Sequence, residues 1–592
     1  MRRNLHRSLA LMAILLISGC GGGSTPVNAP TPPVLPQSQI LDLNSIAAGN
    51  GFLRVSGSAS TGRFGVPVAG GWDCDGDGNR DYAMAGMQAS PLGRDRAGQV
   101  VRVFGDGQIQ QSQDTAQANA NMLRIAGAGP QEATGGEIWM DDVTGDGLGD
   151  LIIGRPNFRA SAPDRIGAGA LSIIVGGQGL RDLAVNGMLL DLAAPPASTN
   201  VLTITGAAEL DRLGFWLRTG DVSGDGIADI LLGADQEDLG AEINRGAAYL
   251  VRGGSHLNAN LFMDLVNFGS TPLAGHVLRV TPPAGSGGYH FAATVDIADI
   301  DDNGREDMLI AASLKRVGGE LLAQDAPAGS AIAIGSNPGG SLFIVWDDNV
   351  SAAALWPAGL TFSTDTAPAS TTRIDGGSVA GIFASHSFAE EILGGLDYNG
   401  DGEVDLFLGD IWGNGRTNRD RGGVGHLFFS AASLKSRNFS VSNVPGDLTA
   451  TTILGPDAGT ITNDTSLHGD IDGDGIADLA IASPLASPLG RMHAGTIHVL
   501  WGRGGTWPTL IDLADGMRPD PATFPITDIL GANGEQSAND AGDTLMYSAA
   551  AADMDGDELT DLIVNEMRGN GVAPAALDVG NLLIIGGARV PK

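Results

Sequence analysis

Short apolar runs recur along this chain, each preceded by a polar, aspartate-rich stretch and closed by small residues. Leu151-Ile152-Ile153-Gly154-Arg155-Pro156 and Ile230-Leu231-Leu232-Gly233-Ala234 are clear examples. Runs this short, bounded by turn formers, predict buried β-strands rather than helices. Beyond a variable loop comes a second apolar segment led by glycine, over 98–105, 167–177, 246–254, 340–346, 423–430, 495–502 and 580–587. Ahead of each polar stretch lies a turn with glycine or an aromatic, such as Arg63-Phe64-Gly65 or Asp211-Arg212-Leu213-Gly214. Several units add an apolar-Asp-Leu segment after the glycine-led one: Leu190-Asp191-Leu192, Met263-Asp264-Leu265 and Ile511-Asp512-Leu513. The pattern predicts an all-β fold, a meander of about four strands repeated seven times.

The polar stretch is a nine-residue loop with oxygen-bearing side chains at positions one, three, five and nine. These are Asp73, Asp75, Asp77 and Asp81 in the first copy, and Asp142, Thr144, Asp146 and Asp150 in the second. The third has Asp221, Ser223, Asp225 and Asp229, and the fourth Asp299, Asp301, Asn303 and Asp307. The fifth has Asp397, Asn399, Asp401 and Asp405, and the sixth Asp470, Asp472, Asp474 and Asp478. The seventh has Asp553, Asp555, Asp557 and Asp561. Calcium takes six to eight oxygen ligands, and a tight loop supplies them by turning alternate side chains inward. Position six is glycine in six copies, which fits a backbone of positive φ there. Position seven varies freely, as it would if only its carbonyl coordinates.

An EF-hand needs a glutamate at position twelve. That position is apolar in all seven copies, from Met84 to Val564, so the loop instead reads as a hairpin turn between two strands. Asp-Gly sequences also make good turns without metal. Seven copies in one register, each packing carboxylates that repel one another without a cation, favour the metal reading and up to seven Ca2+ ions. Glu558 replaces the glycine of position six in the seventh copy, which is therefore expected to be the weakest or most distorted site.

The unit Thr203-Ile204-Thr205-Gly206 … Leu213-Gly214 … Asp221-Val222-Ser223-Gly224-Asp225-Gly226 … Asp229-Ile230-Leu231-Leu232-Gly233-Ala234 resembles the FG-GAP repeat of integrin α-subunits. The likeness covers nearly everything after residue 39. It weakens at Gly135-Gly136, which lacks the aromatic, and at Val564-Asn565-Glu566, which replaces the small-residue step. The resemblance implies a seven-bladed β-propeller of four-stranded blades over 39–592, and the loop count gives the same number independently. No apolar-Asp-Leu segment follows the last glycine-led strand, but Ile40-Leu41-Asp42-Leu43 offers one at the other end. That N-terminal strand is expected to complete the last blade and lock the ring.

Composition adds a net charge of −34 and an aromatic share of only 5%, so blades must pack through aliphatic residues. Nucleic acid is not an expected partner, since a basic footprint is absent. Residues 1–20 read as a lipoprotein signal peptide: Arg2, Arg3 and Arg7 precede an apolar run ending in Ile17-Ser18-Gly19-Cys20, which resembles a bacterial lipobox with Cys20 as the lipidated residue. Residues 21–38 read as a flexible tether. Gly21 after the cysteine would suit outer-membrane sorting, so the expected place is the bacterial cell envelope, with membrane attachment through lipid alone. Catalytic motifs are lacking, and a non-enzymatic role is expected. Recognition is expected on the face opposite the acidic loops, where Trp412, Arg416 and Arg419 form a candidate cluster for a protein or glycan partner. An envelope enzyme acting on polysaccharide, or a purely structural envelope protein, are the alternatives.

Overall fold

The computed structural model describes residues 39–592 except 47–48, 50, 59–61, 111, 118, 162, 259–260, 269–273, 286–287, 314–338, 348–360, 364–370, 417, 538–539 and 572–576. The expected signal peptide, Cys20 and the tether therefore lie outside the described residues, as do residues 314–338. What is described is nearly all β, with one α-helix, Gln178–Val185. Among the described residues no helix is long and apolar enough to cross a membrane.

The described residues form seven five-stranded sheets, beside a two-stranded and a three-stranded ribbon. In the first, Val68–Trp72, Asp81–Gly86, Gln99–Val103 and Met122–Ala126 run antiparallel in chain order. A fifth strand, Leu189–Asp191, joins the outer edge in parallel. It is one of the apolar-Asp-Leu segments, and it arrives from the following repeat. Each sheet thus has one strand more than the four expected. The parallel strand had to come from a neighbour, because a tight turn joins only antiparallel strands.

The same rule corrects the expectation for the N-terminus. Ile40–Asp42 pairs in parallel with Ile526–Leu530 of the sixth sheet and does not complete the seventh. Phe52–Ser56 completes the seventh instead, as the antiparallel neighbour of Asn581–Ile585. Gln113–Asp114 is the fifth strand there. The N-terminal segment therefore supplies both strands that the last repeat lacks, one to each of two sheets.

Every acidic loop is the hairpin turn between the first and second strands of its sheet. The residue before position one pairs with position nine, as in Asp141 with Asp150 or Gly469 with Asp478. Second strands are buried along their whole length, which is why they read as continuous apolar runs. Apolar clusters fill the spaces between consecutive sheets, including one that joins Ile563 and Leu582 of the seventh sheet to Tyr82 and Val101 of the first. The first strands also lie side by side in order, and Leu545–Ala552 neighbours both Ser466–Gly469 and Val68–Trp72.

Candidate metal centres

Backbone hydrogen bonds give each loop a fixed shape. The position-one aspartate accepts from amides of the loop it opens: Asp73 Oδ1 from Gly76 N at 2.8 Å and Oδ2 from Gly78 N at 2.8 Å. Asp470 repeats this with Gly473 N at 2.8 Å and Gly475 N at 2.9 Å. Position five accepts from position seven, as Asp77 does from Asn79 N at 2.8 Å. Position six holds positive φ in all seven copies, glycine near 85° and Glu558 at 69°. Position four does so as well, through glycine in six copies and Asp302 at φ 52° in the fourth.

Position nine is buried in all seven copies and has a structural duty beyond any ligand role. One carboxylate oxygen accepts from an amide at position two or three, such as Cys74 N at 3.0 Å or Ile471 N at 2.9 Å. The other accepts from an amide just past the third strand: Gly105 N at 2.9 Å, Gly502 N at 2.7 Å, Gly587 N at 2.9 Å. The aspartate therefore pins the hairpin to the next strand. Burial pushes these carboxyls up, to about 6 for Asp81 and Asp561, about 7 for Asp478 and about 8 for Asp307. Their amide donors oppose that rise. Position two carries a buried apolar side chain, from Cys74 to Met554. Cys74 is therefore a core residue, and burial pushes its thiol up to about 12.

The donor chemistry fits a hard divalent ion. Three carboxylates converge within 4.8 Å in the first, fourth and sixth loops through positions one, three and nine, and in the seventh through positions one, three and five. Thr144 or Ser223 holds position three in the second and third loops, and Asn399 in the fifth. Within the loops, Asp301 Oδ1 is buried without a hydrogen-bond partner. A partnerless carboxylate oxygen among converging aspartates is compatible with a cation ligand. Positions one, three, five and nine would hold the ion, which would supply the charge neutralisation that packed aspartates need.

Neighbouring loops touch. The amide at position eight of one loop donates to the position-one carbonyl of the loop before it: Gly149 N to Asp73 O at 2.8 Å, Ala477 N to Asp397 O at 3.0 Å, Thr560 N to Asp470 O at 2.8 Å. Position seven also packs on position four of that loop, where a Cβ on Gly400 would lie 2.9 Å from Ile476 and one on Gly473 2.8 Å from Leu559. The variable position seven is thus an inter-sheet contact. Glycine at position four was a visible signal for it.

Residues 463–500, which include the sixth loop, match the model of the FG-GAP repeat. The chain is also similar to integrin alpha-IIb of Mus musculus, 29% identical over 181 residues. That stretch is 30% of this chain and 14% of the relative, so the two share only a small part of the relative's length. Residues 463–500 are thus an FG-GAP repeat.

On the far side of the sheets, the chain uses its arginines internally. Arg416 Nε lies 2.6 Å from Asp512, and Arg419, 7% exposed, bonds the same carboxylate. Both clamp the fifth strand Leu510–Asp512. Arg94 does this to Asp191 at 2.6 Å, Arg165 to Asp264 at 2.8 Å and Arg491 to Asp42 at 2.7 Å. Arg416 and Arg419 are thus committed to Asp512, while Trp412 is half-buried with its amide on Ser387 Oγ. The outward groups are elsewhere. Ser90-Pro91-Leu92-Gly93-Arg94 and Ser487-Pro488-Leu489-Gly490-Arg491 repeat one motif, and their leucines are 59% and 70% exposed at φ 55° and 52°. Leucine rarely adopts that backbone. The repeated pentapeptide was a readable signal.

Ser483, His498 and Asp528 are joined as a nucleophile, base and acid would be, with Oγ–Nε2 at 3.0 Å and Nδ1–Oδ1 at 2.7 Å. Ser483 is fully buried and its hydroxyl also meets Thr462 at 2.7 Å, so the line ties strands together and offers no access to substrate. His468, two residues before the sixth loop, meets the Tyr398 hydroxyl at 2.6 Å, and burial pushes its pKa down to about 4.

Proposed function

We propose that the seven sheets form a seven-bladed β-propeller, closed through Phe52–Ser56, that binds calcium at its acidic loops and works as a ligand-binding module on the cell surface. The observation that carries the ring is the order of neighbours: each first strand lies beside the next, and the seventh beside the first. Closing a ring removes exposed sheet edges. Integrin-like similarity and the acidic loops support calcium and a binding role. The chain would be held to the bacterial envelope by a lipid on Cys20, with its partner, protein or glycan, on the face opposite the loops. Leu92, Leu489 and Met492 are among the exposed apolar groups there, with Ile243, and would take that contact in place of Arg416 and Arg419. Screening the full chain on arrays of glycans and envelope proteins tests the role. Binding that Leu92→Ser and Leu489→Ser abolish together is expected, and binding unaffected by both would move the site elsewhere.

One observation favours the enzymatic alternative. Glu137, Asp296 and Glu391, from the first strands of three sheets or the residue just ahead of one, gather around Arg218. Its guanidinium lies 2.9 Å from Glu137 and 4.4 Å from the Trp139 ring. Burial pushes the three carboxyls up to about 7, 7 and 8. Carboxylic acids that keep a proton near neutral pH are what polysaccharide cleavage needs. Turnover of polysaccharide by the full chain, lost in Glu391→Gln, would establish this reading; none across a broad panel would discard it.

A further inference from the structure

Four of the seven loops hold a basic side chain of the chain's own against their aspartates. In the first, Arg181 Nη1 lies 3.2 Å from Asp75 and 4.0 Å from Asp77. In the third, Arg252 grips Asp225 through Nη2 at 2.8 Å and Nε at 3.1 Å. In the fourth, Lys435 Nζ lies 2.9 Å from Asp301. In the sixth, Lys592 Nζ bonds Asp472 and lies 2.8 Å from Asp474. Among the described residues no such ion pair reaches the aspartates of the second, fifth or seventh loop.

One position explains the division. The residue that follows the third strand is Phe104, Val175, Arg252, Trp346, Phe429, Trp501 and Gly586 in the seven sheets. Where it is an aromatic ring turned to the loop, a cation rests on its face: Arg181 at 5.0 Å from the Phe104 centroid, Lys435 at 5.2 Å from Trp346, Lys592 at 5.5 Å from Trp501. Attraction between a cation and a ring face holds each base over its aspartates. In the third sheet Arg252 occupies the position itself. Val175 and Gly586 offer no ring, and Phe429 turns instead to Trp507 at 5.9 Å.

We infer that these four bases are tethered counter-ions which compete with the divalent ion for the loop carboxylates, so that the loops fall into two classes of affinity. The inference rests on the calcium reading above. An ammonium or guanidinium and a calcium ion cannot share one small set of aspartates without repelling each other. Loading a guarded loop means lifting the base off its ring, whereas the second, fifth and seventh loops carry no such cost. When calcium is scarce, the bases keep the guarded loops from flying apart. Ions therefore enter the three unguarded loops first and the four guarded ones at higher free calcium.

The test is a calorimetric titration of the full chain with Ca2+, comparing the natural chain with Lys435→Met and Lys592→Met, alongside melting curves of all three in chelator. Each variant should bind about threefold to tenfold more tightly at one class of site, with the smaller gain at the more exposed Lys592. Each should also melt earlier in chelator and recover in calcium. Equal or weaker affinity in both variants would overturn the competition while leaving calcium binding intact. If no chain binds calcium, the underlying reading fails and the inference with it.

Discussion

The sixth and seventh loops carry the same four aspartates, at Asp470, Asp472, Asp474 and Asp478 and at Asp553, Asp555, Asp557 and Asp561, and they sit against one another. What surrounds them differs. The sixth has glycine at every left-handed position, a base in Lys592 and an indole in Trp501 to hold it. The seventh has Glu558 at φ 69°, Gly586 where the ring would be, and three carboxylates gathered through Asp557 instead of position nine. A strained Glu558 is present with or without an ion. It lowers the stability of the fold and leaves affinity to the local charge. On the competition inferred above, the seventh loop, which its sequence alone marks as the weakest or most distorted site, should therefore hold its ion more firmly than the sixth. Identical ligands thus do not make identical sites; the second layer of residues separates them.

Chelation is the largest lever on this comparison. Each filled site adds about 2.7 kcal/mol when free calcium is a hundredfold above its Kd. Removing calcium should loosen the hairpin 553–561 more than 470–478, because Lys592 remains on the latter. Amide hydrogen exchange of the two hairpins, with and without chelator, reads this directly. Equal loss of protection in both would remove the distinction.

Asp478→Ala and Asp561→Ala come next. Each strands two buried amides, Ile471 N and Gly502 N in one, Met554 N and Gly587 N in the other. A cost of about 3 kcal/mol is expected in each, similar in both loops and present even in chelator, measured by denaturant unfolding. An effect confined to calcium would mean that position nine is only a ligand. The smallest change is Glu558→Gly, which should stabilise the chain by about 1 kcal/mol with or without calcium. A gain seen only in calcium would place the strain at the metal instead.

Much of this is legible in the sequence. Asp, Thr, Ser or Asn at alternate positions, followed by an uninterrupted apolar run, specified the hairpin and the strand after it, because both signals are local. The partner of Ile40–Asp42 was not legible, since parallel pairing joins segments hundreds of residues apart and the same apolar-Asp-Leu pattern suits either sheet. Arg416 and Arg419 misled for a related reason. Their sequence neighbourhood is a loop, and the carboxylate that claims them, Asp512, is far along the chain. The guard residues were hidden for the same cause: Lys435 and Lys592 belong to other segments than the loops they touch, and only the ring at Trp346 or Trp501 hints at them.

Counting calcium on the purified full chain, by elemental analysis after exhaustive dialysis against buffered free calcium, tests the central claim most directly. Seven ions per chain are expected at high free calcium, three of them retained as the concentration falls. A folded chain that retains no calcium at any concentration would contradict it.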